Sequence, residues 1–113
     1  MRHNFQLLAN AHVEKILTQK DGGPTQAVGV QTTLNGESRI ILANKEVILA
    51  AGIFQSPKLL ELSGIGNKEL LKKQGFDVVE HLSGVGENLH DHAIVCTGRM
   101  AADDVATLDA LIA

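Results

Sequence analysis

The sequence predicts an α/β fold made of a small antiparallel β-meander, a parallel-type strand and short helices. Three observations carry this. Val47 to Phe54 is an unbroken apolar run, β-branched at its start, of the length a strand needs when both of its faces are covered. Upstream, two strand-like stretches flank Asn35-Gly36, a pair suited to a tight hairpin turn. Downstream, Ser56-Pro57 followed by Leu59, Leu60 and Leu62 reads as a helix start with an apolar face.

Taken in order, Phe5 to Leu8 and His12 to Thr18 read as extended segments, with Val13, Ile16 and Leu17 as apolar content. Asp21-Gly22-Gly23-Pro24 is a turn. From Ala27 to Thr33, Val28 and Val30 alternate with small or polar residues, which suits a half-buried strand. Ser38 to Ala43 returns, and Asn44-Lys45 leads into the apolar run. Within that run Ala50, Ala51 and Gly52 replace the bulky side chains with almost none. At this position they either allow tight helix packing or let a ligand approach the backbone. Ser56 is placed to cap the helix, and Ser63-Gly64-Ile65-Gly66 to end it. Asn67 caps a second helix, Lys68 to Gln74, which Gly75 stops. Phe76 to Glu80 reads as another strand and Gly84-Val85-Gly86 as a turn. Ala93 to Gly98 reads as a strand leading away, and Asp103-Asp104 as the cap of a last helix, Val105 to Leu111.

At 113 residues the chain has the length of one modest domain. A net charge of −3 with scattered Lys and Arg gives no basic stripe, so nucleic acid is not an expected partner. No apolar run approaches the ~20 residues that span a bilayer, and no membrane partner is expected. Three Phe without Trp or Tyr offer no stacking platform for sugars or bases. Cys96 is the single cysteine, which excludes an intrachain disulfide; in its apolar setting it reads as an inert core thiol.

The motifs between Gly52 and His92 resemble those of the glucose–methanol–choline (GMC) oxidoreductases. Gly52 to Gly66 is similar to that family's second signature: a small-residue turn, Ser-Pro, two aliphatics, then Ser-Gly-aliphatic-Gly. Val85-Gly86-Glu87-Asn88-Leu89-His90-Asp91-His92 resembles its Val-Gly-x-Asn-Leu-x-Asp-His run. Arg2-His3-Asn4 and Ala11-His12-Val13-Glu14-Lys15-Ile16 resemble its entry into the flavin-binding sheet. The similarity covers roughly residues 1–100, and Ile53, where the family usually carries a smaller residue, is the one departure noted.

The resemblance implies a partial FAD/NAD(P)-binding domain of the glutathione-reductase-like type, whose meander precedes the last strand of a nucleotide-binding sheet. It implies that residues 1–92 are part of that domain and 93–113 the start of a connection toward a substrate-binding domain. The cofactor would be FAD and the full enzyme's substrate a small-molecule alcohol, oxidised by hydride transfer to flavin. GMC enzymes are several times longer, so the expectation is an internal piece, inactive by itself. Two other readings stay open: a truncated, non-catalytic remnant, and a small stand-alone adenine-nucleotide-binding module.

No residue here is expected to be catalytic. The phosphate-cradling Gly-x-Gly-x-x-Gly turn is absent, since Gly64-Ile65-Gly66 and Gly84-Val85-Gly86 lack its third glycine. The family's His base would also lie outside this stretch. Val13, on its residues alone an ordinary core Val, would by resemblance offer backbone N–H and C=O groups to the adenine edge of FAD. Ala51 and Gly52 would border the same cofactor by close backbone approach. Asn88, Asp91 and His92 would lie on a segment passing the flavin, with His92 toward the isoalloxazine end. The plainer alternative is that Asn88 and Asp91 only satisfy buried backbone groups. His90 and His92 alternate, but two His with one residue between them are not a specific metal signal, and no metal is expected.

Overall fold

The computed structural model describes residues 3–98 and 102. Three strands form an antiparallel sheet in the order β1 (Ala11–Gln19), β2 (Gln26–Leu34), β3 (Glu37–Leu42). The β2–β3 turn is Asn35-Gly36, with φ of 53° and 83°; both positive values suit the right-handed twist of a two-residue hairpin. Gly29 faces Leu42 across the pair. A Cβ there would collide with the Ile41 carbonyl oxygen and lie 3.0 Å from Leu42 Cα, so the missing side chain sets how closely β3 approaches.

The β1–β2 register breaks between Val13 and Lys15, leaving Glu14 as the extra residue of a bulge. Its carboxylate accepts hydrogen bonds from Gln31 Nε2 and Thr33 Oγ1, which pins the irregularity to β2. Thr32, almost wholly buried, donates its hydroxyl to the His12 carbonyl at 2.8 Å, so it adds no unpaired polar group to the interior.

After β3 the chain passes to α1 (Gln55–Leu62), β4 (Ile65–Gly66), α2 (Lys68–Lys73) and β5 (Glu80–His81). β4 and β5 pair in parallel, with α2 as the crossover. The Asn67 side chain caps α2 by accepting from the N–H groups of Glu69 and Leu70. Glu69 in the first turn and Lys72 and Lys73 in the last complement the helix dipole. Gly75, at φ 81°, ends the helix; its N–H reaches Lys72 C=O while Phe76 N–H reaches Leu71 C=O, the paired closure of a Schellman motif.

Two bonds tie these halves together. Ile16 N–H donates to Ser63 Oγ at 2.8 Å, joining β1 to the end of α1. Thr25 Oγ1 donates to Glu80 Oε2 at 2.7 Å, joining the first hairpin to β5. Among the described residues Ile16 and Leu71 are the buried hydrophobics, with Thr32 and Ser63 the buried polar ones.

Several expectations are corrected. Val47–Ala51 forms no strand, and Ile48 is 79% exposed: a strand needs a ladder partner, and among the described residues none pairs with this segment. The parallel pairing falls instead on Ile65–Gly66, expected as a loop, and on Glu80–His81, which shares only Glu80 with the expected strand Phe76–Glu80. Ser56 lies inside α1 rather than capping it; Phe54 occupies the cap position without a side-chain bond, and Pro57 still sits in the first turn. Phe5–Leu8 and Ala93–Gly98 carry no regular structure, and Cys96 is exposed rather than a core thiol. The last helix expected, Val105–Leu111, lies outside the described residues.

Two substitutions test this packing. Gly64 sits at φ 80°, and a Cβ there would strike the Asp77 carbonyl oxygen with Val79 Cγ2 at 2.9 Å. Gly64→Ala is expected to cost about 2 kcal/mol or more in urea unfolding, against a few tenths for Gly84→Ala, whose Cβ would meet open space. Asn67→Ala is expected to cost about 1 kcal/mol and to raise amide exchange at Glu69 and Leu70.

Candidate functional site

β1 is an edge strand of its sheet. One side is laddered to β2, while the other presents main-chain groups without a strand partner among the described residues. α1 lies along that free side, and its end is fixed there by the Ile16–Ser63 bond. Between the two elements lies a groove of about 500 Å³, bordered by Ala11, His12 and Val13 on the strand and by Ala51, Gln55, Lys58, Leu59 and Leu62 opposite. Its size falls within the range of small-molecule sites, and its walls combine Leu side chains with a few polar groups.

The turn before α1 is held by two bonds. Ser56 Oγ accepts from Ala51 N–H at 3.1 Å, and Ser56 N–H donates to Gly52 C=O at 3.0 Å. Gly52 has φ 88°, and no atom comes within 4 Å of where its Cβ would be. Its glycine therefore serves the backbone conformation of the turn that carries Ala51, and Gly52 itself is not part of the groove wall.

A second groove, of about 380 Å³, lies on another side of α1. Phe54, Pro57 and Glu61 face Gly86, Asn88 and His90 across it. Asn88 adopts φ 55°, a left-handed conformation that Asn tolerates better than most residues. Lys58 borders both grooves.

The structure thus brings Val13 and Ala51 to one groove and Asn88 to another. Asp91 and His92 border neither; they are exposed, and Asp91 Oδ1 accepts the N–H of His92 at 2.7 Å. Among the described residues no group of three or more His, Cys, Asp or Glu side chains converges to hold a metal ion. Sequence reading missed the groove residues Gln55, Lys58, Leu59 and His90, and above all Ser63. The signal for Leu59 was present in the apolar face of its helix; for Ser63, which looked like part of a loop, nothing in the spacing marked its partner 47 positions away.

Residues 1–94 match the family described as GMC oxidoreductase. The chain is 43% identical over 110 residues to a dehydrogenase of Armillaria gallica, covering 97% of this chain and 17% of that one. It is 50% identical over 91 residues to mitochondrial choline dehydrogenase of Homo sapiens, covering 80% of this chain and 15% of the relative. Among solved structures, an FAD-dependent oxidoreductase from Chaetomium thermophilum superposes with a TM-score of 0.71 at 40% identity, over 80% of this chain and 15% of that one. The chain spans less than a fifth of the length of the relatives it matches. With a family match over most of its length and a fold shared at substantial identity, the chain belongs to the GMC oxidoreductase family.

Proposed function

We propose that this chain forms the adenine-side part of the FAD site in an oxidoreductase that acts on the CH–OH group of an alcohol. The observation that carries the reading is the meeting of Val13, on the free edge of β1, with Ala51 and the apolar Leu59 and Leu62 across one groove. An edge strand can offer an N–H donor beside a C=O acceptor, the complement of the N1 acceptor and N6 amino donor of adenine. The Leu pair would cover the base, and Ala51, lacking a side chain beyond Cβ, leaves the groove open. Its own N–H is already engaged by Ser56, so its contribution is space rather than a donor.

FAD, when bound, supplies an acceptor for the hydride that leaves the alcohol carbon. In this reading the residues of this chain bind and orient the cofactor. Asn88, in the second groove, is assigned to the segment that passes the flavin, with the exposed Asp91 and His92 following it. Lys58, between the grooves, is the cation available to an anionic linker lying along α1.

Titration of the chain with millimolar adenosine monophosphate is expected to shift the amide resonances of Ala11–Val13 and Leu59 in a saturable way, leaving those of α2 in place. Recognition through the main chain predicts that Val13→Ala keeps the affinity within about twofold, whereas Ala51→Leu, which fills the groove, lowers it by about tenfold or more. Shifts spread evenly over the chain, or strong dependence on the Val13 side chain, would contradict the assignment.

A further inference from the structure

We propose that Ser63 is a positioning residue for the nucleotide groove: its hydroxyl sets the spacing between α1 and the free edge of β1, closing that edge at Ile16 while leaving it open at Val13. The inference rests on the nucleotide reading above, which concerns the groove and assigns Ser63 no part in it.

Ser63 is completely buried. Its hydroxyl donates to Leu59 C=O at 2.6 Å and accepts from Ile16 N–H at 2.8 Å. Because the helical carbonyl takes the hydroxyl proton, the lone pairs of the oxygen are left to face the strand. The contact is therefore directional, a fixed acceptor offered to one N–H of β1. It is the hydrogen bond that joins α1 to β1 among the described residues. The residue that receives the proton, Leu59, also lines the groove, as does Leu62, the last residue of the helix. A shift of the helix end is thus felt at once in the groove wall.

The other side of Ser63 is held as well. Gly64 C=O accepts from Val79 N–H at 2.8 Å and from Glu80 N–H at 3.2 Å. The end of α1 is clamped between β1 and the segment entering β5, and it cannot slide along the strand edge without breaking one set of bonds. An adenine-sized group has to find its donor and acceptor on β1 and its apolar cover on α1 simultaneously. The distance between these two elements decides whether it can, and Ser63 fixes that distance.

The test compares Ser63→Ala with Thr25→Val in the full chain. The second variant removes another long-range bond, Thr25 to Glu80, whose residues border neither groove. Both are expected to lower the urea midpoint. Ser63→Ala should also weaken adenosine monophosphate binding, read from the Val13 amide of the folded protein, by about three- to tenfold, and should expose the Ile16 amide to exchange. Thr25→Val should leave the affinity as in the parent, and Ser63→Thr, which keeps the hydroxyl, should restore most of it. A measurement without any variant covers the case in which Ser63→Ala fails to fold: by linkage, saturating nucleotide should slow exchange at Ile16 more than at Leu71. Equal affinity losses in Ser63→Ala and Thr25→Val, or an Ile16 amide indifferent to both Ser63 and nucleotide, would overturn the positioning role alone. Absence of any Val13 shift in the parent chain would overturn the nucleotide reading and this proposal with it.

Discussion

The hydrogen bond from Ile16 N–H to Ser63 Oγ is the constraint on which the rest of this structure depends. The three-stranded sheet and the β4–α2–β5 unit are each held by local ladders, turns and caps. What relates one to the other is a narrow seam in which Ile16 and Ser63 are both buried. A buried main-chain N–H without a partner costs about 1–3 kcal/mol, more than a typical hydrogen bond contributes net. The Ser63 hydroxyl removes that cost, and its buried position makes the geometry a narrow one. The Thr25–Glu80 bond adds a second tie, with Lys20 only 3.9 Å from the same carboxylate; exposed on both sides, that ion pair contributes at most about 1 kcal/mol.

From this seam the grooves follow. α1 is anchored at its end by Ser63 and at its start by the Ser56 bonds to the Ala51-Gly52 turn. One of its sides borders the groove that reaches Val13, while another faces the loop around Asn88. A short helix with both ends fixed can serve as a common wall for two sites. The Ser-Pro and Ser-Gly-Ile-Gly segments that make the sequence resemble a flavoenzyme family are thus the same segments that fix the helix.

Local features were legible in the sequence and long-range ones were not. The hairpin at Asn35-Gly36, the Asn67 cap and the Gly75 stop each rest on a few adjacent residues whose backbone preferences leave little choice. Val47–Ala51 has the composition of a buried strand, but composition does not supply the neighbouring strand, and here the segment lies unpaired with Ile48 in solvent. Ile65-Gly66 became a strand because Gly64 allows the chain to pass close to Asp77 and Val79, a proximity set by α2 folding back. At the candidate site, family resemblance singled out Val13 and Ala51, and both border one groove. The role of Ser63 was hidden because its partner is chosen by tertiary packing. β3 is exposed at every position, and its consecutive Ile40, Ile41 and Leu42 have no covering layer among the described residues.

The central claim is that the edge of β1 at Val13, across from Leu59, receives an adenine base. Intermolecular nuclear Overhauser effects between the adenine H2 and H8 protons of a bound nucleotide and the isotope-labelled chain test it most directly. The account predicts contacts from the base to Val13 and to the Leu59 or Leu62 methyl groups, with none to Phe54 or Leu89. Contacts confined to the groove around Asn88 would place the nucleotide on the wrong side of α1 and contradict the account.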